Sequence, residues 1–550
     1  MRIRALAIPV VHLIVSLVLG TFMPCSADPS ADRYVSSVRE FADNVLEHGR
    51  DKYGPKQTPF FVDGLNVDTL EPGIWKKDGE EWILSNLASQ QNLFRTLDAL
   101  TNLTGERKYK GSAVRAVRYA FDTLRSPNGL LYWGGHYAYD AAGDRLVREQ
   151  DRHELKRHYP YYELMWEVQP EITKRYMEAF WRAHVLDWSN LDMNRHGEYD
   201  ADTAIPWPER YVGGKVFFVS QHGRSFINTG SDLFYAGAML HKLTGERLPL
   251  VWAERLAHRY VDTRDPKTGL GGYLYSHREH DQVEGQFGGI ERLKGHLLLD
   301  GTLLPTGRAR TRFGVAGIIQ LKLGEMLGNE GSRFRQWALE DLRAYGRNAY
   351  DPADNTFTAM LTDGTRLSRA DMVRGGYYGD AGSGALDPRQ ADGLFFWAYS
   401  LASRLTGDPY AWEMARSISR GEALGDIGGT PKGDPKLNID TDRSDPQDLL
   451  GCLELYRQTG NADFLDLAKR IGDNILKYRF HNGFFVRDER HLYARFDSIE
   501  PLALLTLAAL IRGEPDAVPD VWPGESYFQC PFDGIGRTTD LSVIYSRLRE

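Results

Sequence analysis

The chain has 550 residues, 42% of them hydrophobic and 26% charged, with a net charge of −8. That is the makeup of a globular protein with a large buried core, long enough for one very large domain or several ordinary ones. No long basic run offsets the acidity, which excludes nucleic acid and an anionic membrane surface as partners but not an acidic substrate met by a local basic groove.

In chain order, Arg2 and Arg4 precede an apolar run from Leu6 to Phe22, and Pro24-Cys25-Ser26-Ala27 offers a small-residue cleavage site. Residues 1–27 therefore read as a signal peptide, whose removal takes two positive charges and leaves −10 (−8 − 2). The expected location is periplasmic or secreted, with no membrane association after processing. Tyr34, Val38, Phe41 and Val45 then recur at helical spacing, as do Val114, Val117, Phe121 and Leu124.

A phrase repeats along the chain: a helix end, a glycine, an acidic or amide residue, and the next helix. It occurs at Leu103-Thr104-Gly105-Glu106, Leu243-Thr244-Gly245-Glu246, Leu327-Gly328-Asn329, Leu405-Thr406-Gly407-Asp408 and Thr459-Gly460-Asn461. Glycine just past a helix accepts the left-handed conformation that ends it, and a polar residue caps its successor. Each phrase predicts an antiparallel helix pair. Their irregular spacing excludes a short-period solenoid and predicts an all-α toroid of helix pairs. Long loops around 126–162, 188–232, 262–313 and 352–390 would cover one end; loops of that length in a compact domain are usually functional. No linker splits the chain, so residues 28–513 form one catalytic domain and 514–550 an irregular tail packed on it.

The loops carry the chemistry. His136 lies in WGGHYAYD, Glu154 and His158 in RHELKRH, and Arg195-His196 in LDMNRHGEYD after a helical stretch from Ile172 to Leu186. Glu154 and His158, four apart, are expected to share a helix face; His158 alone reads as structural. Two imidazoles and a carboxylate can hold a divalent first-row metal and leave positions open. These segments, with HELKRHYPYYELMW and AFWRAHVLDWSNLDMNRHG, resemble the polysaccharide lyase family 2 pectate lyases. The resemblance runs through most of the mature chain. It implies an (α/α)7 barrel, a metal held by two histidines and a glutamate, and an arginine that takes the C5 proton of galacturonate. Carried over, the ligands are His136, Glu154 and His196 and the base is Arg195, with Glu163 the alternative carboxylate. The metal expected is Mn2+, with Ca2+, Co2+ or Ni2+ the alternatives.

The chemistry is consistent with that assignment. Breaking a glycosidic bond β to a carboxylate requires loss of a weakly acidic C–H proton. A cation on the uronate carboxylate spreads the resulting charge. Arginine is rarely neutral at pH 7, so clustered cations and an alkaline optimum would accompany such a base. Arg224, Arg292, Arg310 and Arg312 are candidate carboxylate-binding forks for galacturonan, and Tyr377 and Tyr378 candidate flat faces for a sugar ring. Arg310 and Arg312 are expected to open a helix after a long loop.

A second reading of the same toroid is a glycoside hydrolase or epimerase acting on uronides. It would use Asp232 in TGSDLFYAG and Asp392 in RQADGLFFWAY, both at Gly-flanked helix starts where N-capping is the commoner role. A third is a periplasmic sugar-binding protein. Cys452 in GCLELY and Cys530, with no CxxC anywhere, read as two buried thiols rather than a redox pair.

Overall fold

The computed structural model describes residues 28–202, 207, 210–278, 286, 302–375, 384–524 and 526–549. The expected signal peptide, Arg292, Tyr377 and Tyr378 lie outside the described residues. Among those described, the α-helices of seven residues or more fall into seven antiparallel pairs. The first outer helix, α1 (Pro29–His48), pairs with the last inner one. Then come α2 (Gln91–Thr104) with α3 (Lys108–Thr123), α4 (Tyr162–Val168) with α5 (Pro170–His184), and α6 (Ile227–Thr244) with α7 (Arg247–Val261). They are followed by α8 (Ala316–Met326) with α9 (Ser332–Ala349), α10 (Gly393–Thr406) with α11 (Pro409–Gly421), and α12 (Pro446–Thr459) with α13 (Ala462–Arg479). The inner helix α14 (Glu500–Arg512) packs on α1 and on α2, closing the ring.

Burial distinguishes the two rings. Inner helices are buried almost all round: α14 is covered from Glu500 to Ala509, and α6 from Thr229 to His241. Outer helices bury one stripe, as α1 does with Tyr34, Val38, Phe41 and Val45 and α13 with Phe464, Leu467, Ala468, Ile471 and Ile475. A helix apolar on every side belongs between other helices, and one with a single stripe belongs outside them. Four of the repeated phrases end inner helices, at Gly105, Gly245, Gly407 and Gly460, each left-handed with φ between 66° and 76°. The architecture is thus an (α/α)7 barrel.

Two additions position the site. Between α3 and α4, within a stretch expected as loop, β3 (Tyr137–Asp140) and β4 (Arg145–Arg148) join β1 (Ile74–Lys77) and β2 (Glu80–Ser85) in an antiparallel sheet. The tail beyond Glu514 is not irregular throughout. It first enters the barrel: Ala517 O accepts from Asn102 on α2, Asp520 pairs with Lys322 on α8, and buried Trp522 meets Tyr235 of α6 with ring centres 4.7 Å apart. It emerges as a hairpin, β5 (Gln529–Phe532) with β6 (Gly536–Thr539). There Pro531 O accepts from Trp75 Nε1 at 3.1 Å, and Trp75, Phe528, Cys530 and Phe532 share a small apolar cluster with β1. Cys452 and Cys530 are both free and buried. No helix among the described residues is long and apolar enough to cross a membrane.

Candidate functional site

Three segments far apart in sequence meet at the barrel mouth. The bend just before β3 carries His136, and Gly134 and Gly135 before it let the Glu154 segment approach closely. A Cβ on Gly134 would lie 2.2 Å from Glu154 O, and one on Gly135 2.8 Å from Glu154 Oε2. Gly135 N donates to Glu154 O at 2.9 Å. The third segment is laced to the second by His153 N to Gly197 O (2.9 Å) and Gly197 N to His153 O (2.8 Å).

Beneath these bonds runs a buried chain of side chains with one consistent set of tautomers. His184 Nδ1–H donates to Asn194 O (2.9 Å), His153 Nδ1–H donates to His184 Nε2 (3.0 Å), and His153 Nε2 accepts from Trp133 Nε1 and Tyr176 OH, both at 3.3 Å. Burial holds both imidazoles well below the usual histidine range, so they are neutral, as that chain requires. Asn194 Oδ1 in turn accepts from His196 N at 3.0 Å.

The outcome is a tight knot of donors. His136 Nε2 lies 3.0 Å from Glu154 Oε2, His196 Nε2 lies 3.1 Å from Glu154 Oε1, and the two Nε2 atoms are 3.4 Å apart. Each residue offers a ligand atom within 4.8 Å of the others, and no second such trio exists among the described residues. Glu154 is fully buried, yet neither carboxylate oxygen receives an aligned hydrogen bond. Two imidazoles that turn Nε2 towards one buried carboxylate, beside the Lys156 ammonium at 2.7 Å from Oε1, form a donor set that suits a shared divalent cation. Burial opposes ionisation of Glu154, but the Lys156 ammonium and the two facing imidazoles hold it well below the carboxylate range. Burial lowers the His196 imidazole to about 4 against the pull of Glu154, so it is neutral at pH 7, as a metal ligand must be.

Cations surround this knot. Arg195 Nε sits 3.4 Å from Glu154 Oε1 and 3.3 Å from His196 Nε2, and its guanidinium lies 5.1 Å over the Phe226 ring. Arg224 Nη1 is 3.3 Å from His196 Nδ1. Burial pushes the nearby Tyr273 hydroxyl up, against the charges of Arg308, Arg157 and Arg195. Arg308 itself lies 5.2 Å over the Tyr273 ring.

Several expectations need correction. Glu154 and His158 do not share a helix; they lie on a non-helical segment in which Arg157 (φ 62°) and Tyr159 (φ 45°) are left-handed. His158 is buried, with Nδ1 accepting from Lys156 N at 2.8 Å. Glu163 is elsewhere, on α4, paired with Lys242 at 3.3 Å. Arg312 is no exposed fork: it is 1% exposed, held by Asp341 at 2.6 Å and Gly272 O at 3.1 Å inside a π-helical turn. Arg310 donates to Asp392 Oδ2 at 2.8 Å. Asp392 is N-cap of α10 by position, but its side chain caps nothing. Asp232 is not a cap either; it lies inside α6 and accepts from the backbone of Arg157, His158 (3.0 Å) and Tyr159 (2.9 Å).

Lys156, whose Nζ is 2.7 Å from Glu154 Oε1, was not singled out from the sequence. Its position two residues beyond Glu154 in HELKRH is the only signal, and an extended segment is needed to bring both side chains to one place. Burial pulls its ammonium down to about 8, with Glu154 opposing.

A family model described as periplasmic pectate lyase matches residues 58–531. A pectate disaccharide-lyase of Dickeya dadantii (strain 3937) is 30% identical over 533 residues, covering 89% of this chain and 91% of its own. Among solved structures, a sugar epimerase from a ruminal bacterium aligns at a TM-score of 0.45 and 12% identity over 88% of this chain and 100% of its own. A cellobiose 2-epimerase from Spirochaeta thermophila DSM 6192 aligns at 0.43 and 13% over 75% and 90%. Both structural likenesses are too loose to carry function.

Proposed function

The chain belongs to the periplasmic pectate lyase family and is a polysaccharide lyase; from that premise we propose that it cleaves polygalacturonate or oligogalacturonate by metal-dependent β-elimination, giving 4,5-unsaturated products. The observation that carries the metal dependence is the buried trio of His136, Glu154 and His196, whose ligand atoms all lie within 4.8 Å of one another. A divalent cation there, Mn2+ by the family resemblance with Ca2+, Co2+ or Ni2+ as alternatives, would neutralise the uronate carboxylate and acidify the C5 proton.

The protein's own residues supply the remainder. Arg195, more exposed than the three ligand residues, borders the knot on its open side and takes the C5 proton as the C4–O bond breaks. Phe226 beneath its guanidinium limits where that group can go. Arg224 and Arg308 draw further uronate carboxylates to the mouth, and a free carboxylate suits this site better than a methyl ester. The name of the Dickeya dadantii relative adds the expectation that the product released is a disaccharide. Export through the leader at 1–27 would place the enzyme where pectic fragments arrive.

The test is absorbance. Mature protein with polygalacturonate should generate an ultraviolet-absorbing conjugated product, lose that activity to a chelator, and regain it with Mn2+. Undiminished turnover after metal removal would refute the metal dependence. New reducing ends without absorbance would instead support the hydrolase reading.

A further inference from the structure

The three ligands leave unexplained what fixes the His136 ring. A ligating imidazole must present one nitrogen bare, and the other nitrogen's partner decides which one. The Nδ1 atom of His136 faces Glu149 Oε2 at 3.1 Å and, less closely, Gln529 O at 3.4 Å. Both are acceptors, as is Glu154 Oε2 at 3.0 Å from Nε2; once Nε2 is given over to a metal, Nδ1 must carry the hydrogen and these two groups receive it.

Glu149 is itself held from three sides. It follows β4 directly, its backbone N–H donates to His136 O at 3.1 Å, and Gln150 Nε2 donates to its Oε1 at 3.1 Å. Arg537, on β6, reaches the same Oε2 at 3.4 Å. The carboxylate is 14% exposed, so the side chain is largely enclosed by these contacts. Gln529 is tied in by its N–H to Gly135 O at 2.7 Å. Two acceptors for one imidazole hydrogen therefore come from the β4 end and from the C-terminal hairpin, 380 residues later in the chain (529 − 149).

We infer that Glu149 is a positioning residue for the metal ligand His136, fixing its ring and favouring its Nδ1–H tautomer, and that the hairpin carrying Gln529 and Arg537 braces that contact. The inference rests on the metal reading above. Glu149 touches neither Glu154 nor His196 in any contact the structure gives, so its effect on the metal has to pass through His136. Loss of such a carboxylate partner typically lowers metal affinity 10–100-fold.

The experiment is titration of the metal-free mature protein with Mn2+ by calorimetry, for the parent, Glu149→Leu, Glu149→Gln, Arg537→Gln and His136→Ala. Glu149→Leu should weaken binding 10–100-fold. Glu149→Gln, which keeps a neutral acceptor, should recover part of that loss, and Arg537→Gln should weaken binding only a few-fold. In the metal-free proteins, nitrogen NMR of His136 should report a larger protonated-Nδ1 fraction in the parent than in Glu149→Leu, where the ring keeps Glu154 but loses Glu149. Thermal unfolding run alongside separates a misfolded variant from a mispositioned ligand. Parent-like affinity in a folded Glu149→Leu, with His136→Ala unable to bind, overturns this inference alone. Absence of Mn2+ binding by the parent overturns the metal reading beneath it, and the tautomer measurement still decides the Glu149 contact.

Discussion

Replacing Asp232 with alanine tests whether the site is held from below by α6. Its carboxylate accepts the backbone N–H groups of Arg157, His158 and Tyr159, all next to the Glu154–Lys156 stretch. Alanine removes the acceptor of the His158 and Tyr159 N–H groups, while Arg157 N keeps Asn228 O at 3.1 Å. Each of the two costs about 1–3 kcal/mol, so a loss of roughly 2–6 kcal/mol is expected, a large share of a domain's net stability. The same carboxylate holds Arg157 and Tyr159 left-handed, a conformation that costs a non-glycine residue about 1–2 kcal/mol. Freed of it, the segment relaxes and Glu154 moves off the point it shares with His136 and His196. Urea unfolding should therefore show lower stability, calorimetry weaker Mn2+ binding, and the absorbance assay reduced elimination, all in one variant. Asp232→Asn keeps one acceptor oxygen and should lie between. The reasoning is refuted if Asp232→Ala keeps parent stability and metal affinity but loses turnover. That outcome would make Asp232 a chemical group, as the hydrolase reading requires.

Three further outcomes are expected. Arg195→Lys keeps a charge but loses the planar fork; it should bind Mn2+ like the parent while elimination falls by about 10²–10⁴-fold, and parent-like turnover would show that another residue is the base. Trp522→Ala opens a buried cavity beside Tyr235 of α6 and should cost about 3–5 kcal/mol in urea unfolding; a loss below about 1 kcal/mol would mean this C-terminal segment is dispensable. Burial raises the Asp232 carboxyl to about 7, opposed by the three backbone N–H groups, and an unfolded aspartate titrates near 3.9. The stabilisation tied to its protonated form is therefore complete below about pH 4 and lost as pH rises through 7. The parent should lose stability relative to Asp232→Asn over that window, and parallel stability–pH curves for the two proteins would contradict this.

What could be read from the sequence follows from the range over which each interaction acts. Helix caps and apolar stripes are local, so the pairs around Gly105, Gly245, Gly407 and Gly460 were legible, as was the stripe Tyr34–Val45 on α1. His136, Arg195 and His196 were legible as residue types suited to metal and proton chemistry. Glu154 was identified for its chemistry but misplaced on a helix, because the i,i+4 spacing to His158 carries no record of the Asp232 clamp 78 positions away (232 − 154) that bends the segment. Arg312 misled for the reverse reason. A guanidinium in a loop-rich stretch reads as a fork for substrate until Asp341, on α9, is found holding it inside the wall.

The division between helices and loops also explains why the site's outer supports stayed hidden. Nothing at the knot is presented by the body of an inner helix. His136, Glu154, Arg195 and His196 all lie on connecting segments, whose mutual geometry is set by backbone bonds such as His153 to Gly197 and by the buried His153–His184 pair. A helix pattern constrains its own period, whereas a loop's course is fixed by whatever it touches. Here it touches the last residues of the chain: the C-terminal segment enters the barrel at Ala517, passes Trp522 and delivers Gln529 to His136. A centre built on loops and closed by the chain's own end cannot form until the ring is complete. Metal affinity is thereby tied to correct closure of the whole barrel, and a chain truncated after Gly513 should keep the ligand residues yet bind Mn2+ more weakly than the intact protein. Calorimetry on the truncated chain, beside a circular dichroism spectrum to establish that its helices form, measures this. Parent-like affinity in a helical truncated chain would show that the loops assemble the knot without the C-terminal segment.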